Sequence, residues 1–394
     1  MPEQAIEERA RERVGTTLNG KYRLDGLLGV GGMAAVYAAT HRNSKRFAVK
    51  VLHAELSVHS GLRTRFMREG YVANSVDHPG AVAVLDDDVT EDGSAFLVME
   101  LLDGETLAEA SDRHGGKLPI RAVLAVAAQV LDVLAAADAK HIVHRDIKPS
   151  NLFLTRTGQV KVLDFGVARL REPSSDPAAT HSGLALGTPA FMAPEQALGR
   201  SEEIDGLTDV WALGATMFAL ATGGAVHEAS TPQEQMVFAA TRSARSLAAV
   251  DPEVPRDAAA IVDRALAFTR SARWESAAAM RDAVRAAYRA LEGEDPSPAA
   301  LVFMASPEKV AIPDPPSLHS PMASTVPATP ISPAPLRLAD PRPSPTSLVP
   351  TAGQPRTVTS SRMRVAAGAT AIAVAGVLVG AWAGTRGGEG TATG

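Results

Sequence analysis

The apolar pattern of this chain changes period once, near residue 105, and that change restricts the possible folds more than any other feature of the sequence. Between residue 22 and about residue 104, the stretches YRLDGLLGVGG, RFAVKVL, AVAVLDDDV and AFLVMEL alternate or run apolar between turn residues, as strands do. One helical stretch near Gly61–Ser75 interrupts them. From Thr106 onward apolar residues recur at helical spacing, as in AVLAVAAQVLDVLAAADAK and DVWALGATMFALATG. The pattern predicts an α+β fold in two lobes, a small β-rich lobe at about 15–104 and a larger helical lobe at about 105–292. A charged segment, 1–14, precedes them.

The composition changes again beyond Gly293. Residues 293–361 are rich in Pro, Ser and Thr and hold more than half of the 27 prolines. Such a stretch buries too little apolar surface to offset the entropy lost on ordering, so it is expected to be an extended, disordered linker. Val365–Gly384 then runs 20 residues without a charge, the length of a membrane-crossing helix, and 385–394 is expected to be a short external tail with no sensor domain. The net charge of about −5 gives no basic field to attract nucleic acid, and the absence of cysteine excludes disulfides and thiolate metal sites. The first residues, PEQAIEERARER, lack the apolar core of a signal peptide. No internal repeat is present.

Chemistry-bearing residues fall into separate short motifs. Leu28-Gly29-Val30-Gly31-Gly32-Met33-Ala34-Ala35-Val36 lies between two expected strands. Without a Cβ, Gly29 and Gly31 let backbone N–H groups approach a phosphate, although many glycine-rich hairpins are only turns. Phe47-Ala48-Val49-Lys50 ends an apolar run on a lysine, which could aim a charge at a phosphate or simply snorkel from an edge strand. In the helical half, His144-Arg145-Asp146-Ile147-Lys148-Pro149-Ser150-Asn151 is followed by Asp164-Phe165-Gly166 and by Gly187-Thr188-Pro189-Ala190-Phe191-Met192-Ala193-Pro194-Glu195.

In this order and spacing, the motifs resemble those of the Hanks-type protein kinases, and more closely the membrane-anchored bacterial serine/threonine kinases, over about residues 20–290. The resemblance implies a bilobal kinase fold that binds ATP and Mg²⁺. Leu28, Gly29, Val30, Gly31, Gly32, Val36 and Ala48 would enclose the nucleotide, with Met99 as gatekeeper. Glu100 and Leu102 would offer main-chain groups to adenine, their side chains carrying little information. Lys50 would contact the α- and β-phosphates and pair with Glu69 on the one helix of the small lobe. Asp146 would orient or accept the substrate hydroxyl proton, Lys148 would neutralise the transferring phosphoryl group, and Asn151 and Asp164 would hold Mg²⁺. Lys148 and Thr188 point to serine or threonine substrates. Glu195 would pair with Arg273, and Asp209 would brace the catalytic-loop backbone. Asp86-Asp87-Asp88 reads as a solvated turn, and His114, His141 and His181 lack metal-ligand spacing.

The family's third loop glycine is Ala34 here, which should stiffen the loop without blocking ATP. Every ionisable residue needed for phosphoryl transfer is present, so the resemblance implies an active kinase transferring phosphate to Ser or Thr of proteins, itself included. The alternatives are a catalytically weak nucleotide-binding pseudokinase scaffold and a small-molecule phosphotransferase of related fold; the complete GTPAFMAPE segment speaks against the latter. Thr180 or Ser182 is expected to be the activating phosphosite, with Arg145 as its partner. Arg356, Arg362 and Arg364 before the hydrophobic stretch put the kinase domain in the cytosol, at the inner or plasma membrane. The Gly376, Gly380 and Gly384 stripe predicts a homodimer that phosphorylates in trans.

Overall fold

A computed structural model describes residues 3–165 and 189–305. The small lobe is a six-stranded antiparallel sheet in the order β1-β2-β3-β4-β6-β5. Its strands are β1 (Thr17–Leu18), β2 (Tyr22–Val30), β3 (Ala34–His41), β4 (Arg46–Leu52), β5 (Val84–Val89) and β6 (Ala95–Met99). Alternation along β4 sorts its side chains between two faces. Val49 and Val51 join a cluster with Leu24, Tyr37 and Phe96. Leu52 joins Ala34, Phe66 and Leu97 on the opposite face. Lys50, two residues from Leu52, therefore shares that second face with Phe66 of the helix α3 (Ser60–Val76). Phe66, Glu69, Gly70 and Ala73 of α3 are buried at three- and four-residue spacing, so one stripe of the helix meets the sheet.

The charged segment at the N-terminus is part of this lobe, which corrects the reading of 1–14 as lying outside the domain. Residues Glu3–Glu12 form a helix, α1, on the face opposite α3. Ala10 is buried with Leu24 and Tyr37, and the Tyr37 hydroxyl donates to the Ala10 carbonyl at 3.0 Å. Arg13, just past the helix, donates to Asp92 at 2.6 Å and to Ser94 Oγ at 3.0 Å. Without α1, the apolar face of β2–β4 would meet water; this covering is why so polar a segment is ordered.

The large lobe is built around α5 (Ile120–Asp138), buried on nearly every side. Its length and apolarity would suffice to cross a membrane, but here it is the core helix of the lobe. Against it pack Gly206–Thr222 and Ala277–Glu292. The first of these is capped by Asp205, which accepts from the Leu207 N–H at 2.9 Å, and it stops at Gly223, whose φ of 76° suits glycine. A small sheet of β7 (Gly104–Thr106), β8 (Leu152–Thr155) and β9 (Val160–Val162) lies beside α5.

The packed body continues past residue 292, where the linker was expected to begin. Pro298–Met304 forms a 3-10 turn whose Leu301 and Met304 are fully buried in the large-lobe core, and Arg113 donates to the Met304 carbonyl. Leu301 and Met304 supply the apolar anchors that proline content hid. The remainder of the expected linker, Val365–Gly384, the glycine stripe, Thr180, Ser182, His181, Gly166, Gly187 and Thr188 lie outside the described residues.

Candidate active site

Strand register builds the small-lobe side of the site. Val36 sits opposite Lys50, and Gly29 opposite Val36, so the glycine-rich hairpin between β2 and β3 is indexed to the lysine. On the adjoining side Ala48 pairs with Met99, which closes the sheet at the point where the chain crosses to the large lobe. Lys50 Nζ lies 3.0 Å from Glu69 Oε1 and 2.8 Å from Asp164 Oδ1, joining β4, α3 and the large lobe through one ammonium group. Burial works against the Lys50 charge, but the two carboxylates overcome it and hold the lysine above its ordinary pKa. Burial also raises Glu69, more than Lys50 lowers it. Burial pushes Asp164 up, but the hydrogen bond and charge of Lys50, joined by the Lys148 charge, together hold it below the usual carboxylate range.

Behind Asp164 the backbone is locked. His144 is fully buried; its Nε2 donates to the Leu163 carbonyl at 2.8 Å, and its Nδ1 accepts from the Asp146 N–H at 3.2 Å. Those two bonds require the neutral tautomer protonated on Nε2. The Phe165 ring packs on this imidazole with centroids 4.8 Å apart, and Phe165 is buried. Arg145 and Asp164 both take left-handed backbone angles, φ 68° and 51°, a strain that non-glycine residues carry only where the surroundings impose it. Asp209 imposes it at the first: its carboxylate accepts the N–H groups of His144 at 2.7 Å and Arg145 at 2.8 Å. Burial pushes Asp209 up to about 7 against the pull of those donors.

The Asp146 motif forms a second group. Lys148 Nζ is 3.1 Å from Asp146 Oδ2. Asn151 Nδ2 donates to the Asp146 carbonyl at 2.8 Å and to Asp146 Oδ2 at 3.1 Å. A carbonyl only accepts, so the amide nitrogen is fixed on Asp146 and Asn151 Oδ1 is left as an acceptor. An amide oxygen and an ionised carboxylate, Asn151 and Asp164, are the hard donors that Mg²⁺ takes, and they fit it. No group of three or more His, Asp or Glu suited to a metal occurs elsewhere among the described residues.

Residues 22–284 match the family model described as protein kinase domain. The chain belongs to the protein kinase domain family. The kinase is 41% identical over 273 residues to the serine/threonine-protein kinase Pkn1 of Myxococcus xanthus, covering 68% of this chain and 38% of that one. It is 39% identical over 216 residues to the serine/threonine-protein kinase PknA of Mycobacterium tuberculosis, covering 54% of this chain and 49% of the relative. The kinase thus spans less than half the length of these curated relatives. Its fold is similar to the crystal structure of the PknI kinase domain of M. tuberculosis, with TM-score 0.54, 27% identity, and coverage of 71% of this chain and 99% of that one.

The structure brings together Lys50, Glu69 and Asp164 as one group and Asp146, Lys148 and Asn151 as another. Glu195 and Arg273 form a bidentate pair with both contacts at 2.9 Å, and Asp209 braces the catalytic loop. Three expectations need amendment. The Glu100 side chain is informative: its carboxylate accepts from Lys161 Nζ at 2.7 and 3.0 Å and from the Ala83 N–H at 2.9 Å, clasping the inter-lobe crossing to β9. The Glu100 N–H is itself spent on the Ala83 carbonyl at 3.1 Å, so it is not open to the main-chain role expected of it. Asp86, Asp87 and Asp88 belong to β5 rather than a turn, and accept from Tyr22, Tyr71 and Asn19. Sequence reasoning missed His53, whose ring Nε2 lies 2.8 Å from the Gly31 carbonyl.

Proposed function

We propose that this chain is an active bacterial serine/threonine protein kinase, transferring the γ-phosphate of ATP to Ser or Thr hydroxyls of proteins, itself included. The observation that carries the reading is the ammonium of Lys50 held between Glu69 and Asp164 while Asp146, Lys148 and Asn151 converge beside them. The names of the relatives support it. In the reaction, the substrate hydroxyl oxygen forms a bond to the γ-phosphorus as the bond to the β–γ bridging oxygen breaks. Asp146 orients the hydroxyl and takes its proton, and Lys148 offsets charge on the transferring group. Lys50 positions the α- and β-phosphates. Mg²⁺, held by Asn151 and Asp164, would supply neutralising charge on the phosphate oxygens. A pseudokinase scaffold is disfavoured because the acceptor, the metal donors and the phosphate lysine are all present, with Lys50 bonded to Asp164 and Asn151 bonded to Asp146.

The remainder of the reading concerns residues outside those described. Val365–Gly384 is proposed to anchor the kinase to the inner face of the cell membrane, with 306–361 as linker. Its glycine stripe is proposed to bring two copies together for phosphorylation in trans, at Thr180 or Ser182. The test is incubation of the purified chain with labelled ATP and Mg²⁺, followed by phosphoamino-acid analysis. Phosphoserine or phosphothreonine is expected, and an absence of transferred label would contradict the activity. Extraction of membranes with alkaline carbonate separately tests the anchor; full release would refute it.

A further inference from the structure

The tip of the glycine-rich hairpin is closed by contacts that the sequence did not disclose. The Gly31 N–H donates to the Ala34 carbonyl at 2.9 Å, turning the chain between β2 and β3. His53, the residue after β4, approaches this tip twice. Its backbone N–H donates to the Met33 carbonyl at 2.9 Å, and its ring Nε2 lies 2.8 Å from the Gly31 carbonyl. A carbonyl can only accept, so Nε2 carries the proton and donates. Ala34 holds the tip from the opposite side, its methyl group buried with Leu52, Phe66 and Leu97.

His53 is itself held. Its carbonyl accepts the N–H groups of Leu56 at 2.9 Å and Ser57 at 3.0 Å, in the short helix Ala54–Ser57. Glu55 in that helix pairs with Arg9 of α1. The ring is thus presented from a fixed backbone. A trans peptide unit sets its N–H opposite its carbonyl. Fixing the Gly31 carbonyl therefore fixes the direction in which the Gly32 N–H is presented, and flanking glycines on both sides leave that peptide otherwise free to rotate.

We propose that His53 is a positioning residue for the phosphates of ATP, acting through the Gly31–Gly32 peptide. The proposal rests on the nucleotide reading of the site given above. Binding of the phosphates requires a loop N–H aimed at them; a loop that must first adopt that orientation binds more weakly by the population it has to recover. A single hydrogen bond of ordinary net strength sets the scale, so loss of the ring should weaken ATP binding about 3- to 10-fold. Adenosine, which has the base and ribose but no phosphate, should be indifferent to it.

The experiment is calorimetric titration of the full chain, wild type, His53→Ala and His53→Gln, with ATP plus Mg²⁺ and separately with adenosine. The glutamine amide can donate to the same carbonyl, so His53→Gln should recover most of the ATP affinity that His53→Ala loses, while adenosine affinity stays constant across all three. A general disturbance of the lobe would weaken both ligands equally in His53→Ala, and that result would overturn the proposal. Unchanged ATP affinity in His53→Ala, with wild type binding normally, would overturn it also. Failure of the wild type to bind ATP would instead overturn the nucleotide reading, and this proposal with it.

Discussion

Glu195–Arg273 in the large lobe and Lys50–Glu69 in the small lobe are both acid–base pairs at about 3 Å, but their surroundings differ. The Glu195 and Arg273 side chains are 2% and 0% exposed, and every donor is used: Arg273 also donates to the carbonyls of Ala267 at 2.9 Å, Leu207 at 3.0 Å and Phe268 at 3.4 Å, while Thr208 donates to Glu195 at 2.8 Å. Lys50 and Glu69 keep 13% and 11% exposure, and their third member, Asp164, is 41% exposed. The first pair fixes the end of the GTPAFMAPE segment to the helix beginning at Gly206. The second, with Asp164, spans three elements and keeps partial contact with solvent. The first is a structural brace; on the proposed function, the second is a working contact.

The largest effect should come from breaking the brace. Arg273→Ala leaves a buried carboxylate without its partner and should cost about 3–5 kcal/mol of stability. Chemical denaturation of purified protein checks this, and a loss below about 1 kcal/mol would put the pair on a par with a surface contact. Lys50→Met should invert the pattern: phosphoryl transfer falls by about three orders of magnitude, while the denaturation midpoint moves little. The fold tolerates the change because Asp164 reaches solvent and Glu69, already raised by burial, can take up a proton.

The parts of the kinase legible in its sequence were those whose meaning is carried by near neighbours. Asp146, Lys148 and Asn151 lie within one short loop, and Lys50 and Leu52 share a face because strands alternate. Glu69 could be assigned because the sequence pattern shows one long helical stretch among the strands of the small lobe, although a second, short helix, Ala54–Ser57, precedes it. The elements that escaped notice depend on partners distant in sequence. Nothing near Glu100 announces Lys161, and nothing near Gly31 announces His53. The charged helix α1 is ordered by Tyr37, and Met304 is held by Arg113, 191 residues away. Composition also misled at Pro298–Met304, where two buried apolar side chains outweigh the prolines around them.

The comparison is sharpened by pH, with a smaller effect. Burial raises Glu195, but its bonds with Arg273 win and hold its pKa below the ordinary 4.5. A carboxyl depressed on folding stabilises the protein above its unfolded pKa, and that contribution is lost as pH falls through the folded value. The wild type should therefore be more stable than Glu195→Gln at neutral pH. The difference should shrink below about pH 4.5, by about 1.4 kcal/mol per unit of depression once both states are protonated. Parallel denaturation of the two proteins across pH 3–7 checks the sign; a gap that widens on acidification would contradict it.

The central claim, that the Asp146 loop performs the reaction while the surrounding bonds only hold it, is tested most directly by Asp146→Asn. The asparagine keeps the size of the side chain and an acceptor oxygen, but it cannot take a proton from the substrate hydroxyl. Single-turnover transfer from labelled ATP is measured beside ATP affinity and the denaturation midpoint of the same preparation. The account predicts transfer reduced by about three orders of magnitude with affinity and midpoint near those of the wild type. Transfer at near wild-type rate in a folded, ATP-binding Asp146→Asn protein would contradict it.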